Sequence, residues 1–279
     1  MEVSFLYIPY GRRPFQIVEQ LPGPKLLNKA FAVLTLLCNS PSGMTLTDLT
    51  DVLRLPKSTA YRILQSLVEQ RFALQDPDTK IYKAGLRMIE LAHQVLAHIE
   101  LRIQSRAEVE ELSCRFNETV HLGVLDRDEI IYIDKHDSQK VVRMYSAIGN
   151  RSPLHCTGVG KVLLADFSEE TLERIVRKKG LHRYTENTIT SFPELKKHLA
   201  MVRKKGYAID DGEHEREITC VASPIRGYGG KVIGAISLTV PISRMSRDDI
   251  EDLSPVVMDY ADRISRKMGY TQKTAALVN

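Results

Sequence analysis

The sequence predicts an α+β protein in two parts. A small helical domain ends in a β-hairpin, and a larger domain combines antiparallel strands with flanking helices. Three observations carry this. Leu26, Leu27, Ala30, Val33, Leu34 and Leu37 fall on one helical stripe near the start. Strand-like runs at 119–125 and 129–135 flank Asp126-Arg127-Asp128, the pattern of a tight hairpin. The 279 residues are enough for about two domains, with cores that need no disulfide staples.

Composition narrows the class. Hydrophobic residues at 43% and charged residues at 27% exclude a disordered or fibrous chain. Cys38, Cys114, Cys156 and Cys220 show no paired spacing, which predicts a reducing, cytoplasmic compartment. No uncharged apolar run approaches the ~20 residues of a membrane span. The opening Met1-Glu2-Val3 lacks the basic region of a secretory leader, so no membrane partner is expected. Residues 1–85 hold ten Lys/Arg against seven Asp/Glu and so carry +3 of the net +4. A basic small domain beside a near-neutral larger one points to an anionic partner.

Pro9, Pro14, Pro22 and Pro24 make residues 1–24 an extended arm. Its Arg12-Arg13 either touches a phosphate backbone or belongs to a solvated leader. The first helix begins at 25 and stops before Gly43. Thr45 caps a second helix with Leu46, Leu49, Val52 and Leu53 inward. Pro56 sits where a first helical residue can lack its N–H, and the third helix runs from Lys57 to about Gln70, with Ala60, Ile63, Leu64, Leu67 and Val68 inward. Runs at 72–75 and 80–83 around Asp76-Pro77-Asp78 form a hairpin. A single linker helix covers 86–100. The next helix, 101–117, has Ile103, Ala107, Val109, Leu112 and Phe116 as its apolar positions. The expected division is an arm (1–24), a first domain (25–85), a linker (86–100), a second domain (101–270) and a tail (271–279).

In the second domain, further strands are expected at 141–146, 207–211, 219–225 and 232–240. Helices are expected at 158–167, 168–179, 191–206 and 246–268. Ser191 with Glu194, and Ser246 with Asp249, read as capping boxes, and Pro255 as a kink. Cys38 and Cys114 are expected in cores.

Three helices and a hairpin in ~60 residues is the order of a winged helix-turn-helix. With its apolar residues inward, the third helix presents Lys57, Ser58, Thr59, Arg62, Gln65 and, obliquely, Tyr61. Arg can fork onto guanine, Gln onto adenine, and Ser or Thr onto phosphates or base edges in a major groove. Lys80 and Lys83 suit a wing lying on the backbone. The expected partner is double-stranded operator DNA, against the plainer reading of a helical module with a solvated polar face.

The run Leu55-Pro56-Lys57-Ser58-Thr59-Ala60-Tyr61-Arg62-Ile63-Leu64-Gln65-Ser66-Leu67 resembles the recognition helix of the IclR (isocitrate lyase regulator) family of bacterial transcription factors. Pro153-Leu154-His155-Cys156-Thr157-Gly158-Val159-Gly160-Lys161 and Gly206-Tyr207-Ala208-Ile209-Asp210-Asp211-Gly212, running into Cys220-Val221-Ala222-Ser223-Pro224, resemble that family's effector domain. The resemblance spans about residues 25–270. It implies a GAF-like effector domain and an effector pocket lined by Gly158, Val159, Asp210, Cys220, Ser237 and Thr239, with Val141 and Met144 as its apolar wall. It also implies a homodimer, assembled as a dimer of dimers. Stretches 118–123, 143–149 and 185–190 are most similar to the branch responding to 2-keto-3-deoxygluconate, which implies a small carboxylate effector, a 2-keto sugar acid. Two features depart from the family pattern: the long arm, and Gly212 with Arg216-Glu217 where an acid and then a glycine are usual.

The residues themselves permit this chemistry. Gly158-Val159-Gly160 opens a helix and can offer backbone N–H groups to a carboxylate. Ser237 and Thr239, two apart on a strand, face the same side, and Asp210 can accept from a hydroxyl. The glycines can equally serve close packing, and the hydroxyls can be ordinary strand residues. A zinc site from His155, Asp210, His214 and Cys220 has no supporting CxxC or HxxxH spacing, so no metal or other cofactor is expected. Lys161 follows glycines but lacks the GxxxxGK[ST] spacing of a phosphate loop. The alternative function is a metabolic enzyme acting on small sugar acids with an accessory winged helix. Turnover assays on such acids, or salt-dependent DNA binding, separate the two.

Overall fold

The structure is a computed structural model that describes residues 25–140 and 146–271. The expected arm, the tail from 272, and all but the last residue of the expected strand at 141–146 lie outside the described residues. Two compact units divide between Val95 and Leu96.

The first unit contains α1 (Lys25–Asn39), α2 (Leu46–Leu53), α3 (Lys57–Glu69), β1 (Ala73–Gln75), β2 (Tyr82–Ala84) and all but the last two residues of α4 (Arg87–Ala97). A capping box starts α2: the Thr45 hydroxyl accepts from the Asp48 N–H, and the Asp48 carboxylate accepts from the Thr45 N–H. Arg54, in the left-handed conformation at φ 50°, closes α2. Pro56 is the N-cap of α3 rather than its first helical residue; its carbonyl accepts from the Thr59 and Ala60 N–H groups. β1 and β2 pair antiparallel, and Met44 adds a bridge to Tyr82. The core gathers Val33, Leu37, Leu49, Leu64, Ala73 and Tyr82. Leu26 and Leu27 of the expected stripe are instead exposed, because the buried face of α1 is carried by Val33, Leu36 and Leu37. Cys38 and Cys114 are also exposed.

The expected linker helix is not continuous with the helix after it. α4 ends at Ala97, and Ile99 in extended conformation precedes α5 (Glu100–Phe116). Ile103 and Ala107 of α5 face outward; Leu101, Ser105, Glu108, Val109 and Leu112 face inward. A serine and a glutamate in the buried stripe hide its period from a hydropathy reading. Glu108 tolerates burial because the Lys267 ammonium lies 2.8 Å away.

The second unit continues with β3 (Thr119–Asp126), β4 (Glu129–His136), β5 (Arg151–Ser152), α6 (Gly158–Leu164), α7 (Glu169–Lys179), α8 (Phe192–Lys205), β6 (Ala208–Asp211), β7 (Ile218–Arg226), β8 (Val232–Pro241), α9 (Arg247–Asp252) and α10 (Ser254–Lys267). The strands form one sheet in the order β5-β4-β3-β8-β7-β6, antiparallel throughout. Arg127 and Asp128, both at positive φ, make the two-residue β3–β4 turn. Ser246 and Asp249 form their capping box. Ser191 caps α8 without a side-chain bond, and Pro193 in that first turn has no N–H to satisfy. Pro255 marks a break rather than a kink: α9 ends before Leu253, and α10 takes the proline in its first turn.

Strand alternation sorts this sheet into two faces. Val120, Leu122, Val221, Leu238 and Val240 pack with Leu112, Val257 and Tyr260 of α5 and α10. Residues of the opposite parity face the side covered by α6, α7 and α8, where Ala208, Ala222 and Ala235 meet Val159, Leu172 and Leu195. On that second face the polar side chains collect.

Candidate functional site

In the first unit, α3 divides as its period predicts. Ala60, Ile63 and Leu64 are buried, with Leu67 and Val68 half-buried against the same core. Lys57, Ser58, Tyr61 and Arg62 are exposed, and Thr59 and Gln65 are half-buried. Gln65 does more than face outward: its side chain hydrogen-bonds the Tyr82 phenol, which burial pushes above its usual pKa. It therefore ties the helix to the hairpin. The Asp76 carboxylate organises the hairpin turn by accepting from the Asp78 and Thr79 N–H groups. Lys83 is exposed on β2. Lys80, also exposed, donates to the Pro77 carbonyl at 2.7 Å, so a phosphate must compete with its own turn.

In the second unit, register assembles a cavity. Thr119 pairs with Thr239, and His121 with Ser237, across β3 and β8. Cys220 pairs with Thr239 across β7 and β8, and Asp210 with Cys220 across β6 and β7. Side chains of one parity therefore line up across four strands. Gly158, Val159, Asp210, Cys220, Ser237 and Thr239 all line one cavity; Val141 and Met144 lie outside the described residues. Its other walls are His121, Tyr132, Ser146, Ser152, Thr157, His214, Glu215 and Ile218. The space, counting its open mouth, is about 490 Å³.

The start of α6 is tightly built. A Cβ on Gly158 would stand 2.8 Å from the Cys220 sulfur, and one on Gly160 would stand 2.2 Å from the Leu154 carbonyl oxygen. Close packing is therefore a real reason for both glycines. The three N–H groups are not all open. The Thr157 hydroxyl accepts from Gly160, and Gly158 turns its N–H toward the Cys220 thiol. Lys161 is no phosphate binder. Fully buried, it donates to the Glu213 carboxylate and to the Ile209 carbonyl.

Electrostatically the cavity is poorly solvated. Burial holds the His121 imidazole down at about 3, with the Lys135 ammonium a smaller cause, so the ring is neutral. Its nitrogens lie 2.6 Å from the Ser146 hydroxyl and 3.3 Å from that of Thr239. Burial also pushes the Tyr132 phenol well above its usual range and the Cys220 thiol up to about 12. The Asp210 carboxyl, 5% exposed, is raised to about 7 by burial; Lys161 opposes this shift and Glu213 adds to it. Of the zinc candidates, Asp210, His214 and Cys220 share the cavity. His155 instead meets the His182 carbonyl at 3.0 Å. Among the described residues no group of three metal-ligating side chains forms.

His121 and Tyr132 are the principal residues that sequence reasoning missed. The signal was present: once Ser237 and Thr239 are assigned to a face, the β3–β8 register delivers Thr119 and His121 to it. That register joins strands more than 100 residues apart and is not readable from local spacing.

Residues 93–266 match the family described as "Bacterial transcriptional regulator IclR C-terminal", and residues 26–77 match the IclR helix-turn-helix domain. The chain belongs to the IclR family. It is 36% identical over 242 residues to the HTH-type transcriptional regulator KdgR of Escherichia coli K12, covering 87% of this chain and 92% of that one. The crystal structure of Thermotoga maritima IclR superposes with a TM-score of 0.74 at 33% identity, covering 88% of this chain and 98% of that one. An IclR homolog from Microbacterium hydrocarbonoxydans, complexed with 4-hydroxybenzoate, gives a TM-score of 0.76 at 25% identity, covering 88% and 100%. These IclR relatives are transcriptional regulators, so the enzyme alternative does not hold. The described helices include none long and apolar enough to cross a membrane.

Proposed function

We propose that this IclR-family regulator is a cytoplasmic repressor that reads double-stranded operator DNA through α3 and the hairpin, under the control of a small carboxylate of the 2-keto sugar acid class. Lys57, Ser58, Thr59, Tyr61, Arg62 and Gln65 meet the major groove, while Lys80 and Lys83 meet phosphates. One recognition helix offers too little interface for specific affinity, so the working form is a homodimer on a pseudo-palindrome, paired as a dimer of dimers. Residues 86–100 join the reading domain to the effector domain and contribute to dimerisation.

A single observation carries the effector half: Gly158, Val159, Asp210, Cys220, Ser237 and Thr239, scattered over 82 positions of sequence, line one cavity. Ser237, Thr239 and the Val159 N–H offer donors to a carboxylate, and Asp210 meets the hydroxyl or keto end. The 4-hydroxybenzoate held by the Microbacterium homolog supports a carboxylate as the ligand class. A ligand shifts DNA binding only through its different affinity for the two states of the regulator, and the coupling is reciprocal. Isothermal titration with 2-keto-3-deoxygluconate, paired with a DNA-shift assay, tests the proposal. Binding to the wild type with a matching change in operator affinity supports it; no binding of any 2-keto or sugar acid refutes the effector half.

A further inference from the structure

We propose that the cavity takes its anionic effector together with one proton, held by Asp210 as the neutral acid. This rests on the effector reading above and adds its pH linkage.

Charged and titratable groups face Asp210 from four elements and from its own turn. On its own turn stand Glu213, His214 and Glu215. From α6 comes Lys161, but its ammonium is already engaged by Glu213 and the Ile209 carbonyl. Lys161 is fully buried and does not line the cavity, so its charge is spent on these partners rather than offered to a ligand. Cys220 from β7, Tyr132 from β4 and His121 from β3 all stay neutral because burial disfavours their charged forms. Among the described lining residues none is Lys or Arg; the Lys135 ammonium on β4, near His121, is engaged by the Ser146 carbonyl and the Asp137 carboxylate, while Asp210 and the exposed Glu215 are carboxyls.

A 2-keto acid enters as a carboxylate. With Asp210 ionised, two negative groups would share one poorly solvated space, an arrangement that forces a proton onto the weaker acid. A 2-keto acid is the stronger acid, so the proton goes to Asp210. Burial has already prepared it for this, holding its carboxyl at about 7 before any anion arrives. The Glu213 N–H donates to Oδ1 at 2.8 Å and the His214 N–H also hydrogen-bonds the carboxyl, both favouring its anion against the larger effect of burial; the carboxyl keeps lone-pair positions for a proton that it can then donate to the ligand. The balance is simple: ligand anion plus one proton from solvent gives a complex in which Asp210 carries the proton and no covalent bond changes.

Isothermal titration of the full-length chain with 2-keto-3-deoxygluconate, in buffers of different ionisation enthalpy, reads the proton directly. If only the protonated site binds, and Asp210 titrates at about 7 in the free protein, affinity falls about thirty-fold between roughly pH 6 and roughly pH 8.5. Proton uptake approaches one per site at the alkaline end. Asp210→Asn, which keeps the acceptor for the Glu213 N–H, flattens both curves. Binding with no proton uptake across this range overturns the proposal and leaves the effector reading standing. The same pH slope in Asp210→Asn also overturns it, since His214 or Glu215 would then hold the proton. Failure to bind at any pH removes the effector reading and this one together. Should Asp210→Asn not fold, His214→Gln and Glu215→Gln give the second arm: uptake kept in both supports Asp210, and uptake lost in either overturns the proposal.

Discussion

The reading helix and the cavity handle polar groups in opposite ways. On α3, Lys57, Ser58 and Arg62 stand in solvent, held only by the buried row of Ala60, Ile63 and Leu64 beneath them. In the cavity His121, Ser152, Thr157, Asp210, Ser237 and Thr239 are buried, and His121 is bonded to Ser146 and Thr239. An exposed face can be altered with little effect on folding, because water replaces whatever is removed. A buried network cannot, because each deletion strands a partner. Substitutions on the exposed face of α3 should therefore separate binding from stability, and those that break a buried bond of the second unit should mix them.

The largest effect expected is on stability. Lys161→Ala strands the Glu213 carboxylate in the core of the second unit. Breaking a buried pair by removing one partner costs about 3–5 kcal/mol. Thermal unfolding should show this as a pronounced fall in Tm, and an unchanged Tm would mean that Glu213 finds solvent. Next comes Arg62→Ala, expected to weaken operator binding by about 1–3 kcal/mol and relax preference at one base pair, with Tm unaltered. Lys80→Ala should weaken all sequences alike and by less, since its ammonium already serves the Pro77 carbonyl. Binding assays on specific and scrambled duplexes at fixed salt distinguish the two. A loss of specificity in Lys80→Ala, or none in Arg62→Ala, would break the contrast between base readout and backbone contact.

A smaller effect lies in the pH dependence of the ligand-free protein, where two buried groups pull in opposite directions. Asp210 has its pKa raised, so its contribution is full below the ordinary carboxylate range and is lost as pH rises through about 7. His121 has its pKa lowered, so its contribution is full above about 6.5 and is lost as pH falls towards about 3. Asp210→Asn should remove the alkaline loss and move the Tm optimum to higher pH; Tm–pH profiles of the two proteins check this.

The same contrast explains what could be read in the sequence. The face of α3 was legible because one helix carries both its apolar row and its polar row, at a local period. The β3–β4 turn was legible for the same local reason. The outward turn of Leu26, Leu27, Ile103 and Ala107 was not, since a stripe's phase is set by what packs on it, and a paired Glu108 passes as surface. Family likeness named six cavity residues, but His121 sits on β3, whose pairing with β8 is long-range, and Tyr132 on β4, whose register with β3 shifts at an irregularity between Leu122 and Gly123. β5, two residues long, gives no periodic signal at all.

The central claim is that occupancy of this cavity controls DNA binding. Its most direct test is an operator titration of wild type and Ser237→Ala with increasing 2-keto-3-deoxygluconate. Ser237 lines the cavity in the second unit and donates to the ligand carboxylate on this account. Losing one such bond and stranding its partner costs ~1–3 kcal/mol, so ligand affinity should fall around ten-fold. Without ligand the two proteins should bind operator equally, and Ser237→Ala should need about ten-fold more ligand for the same response. An identical ligand response in both proteins, or a loss of operator affinity in ligand-free Ser237→Ala, would contradict the account.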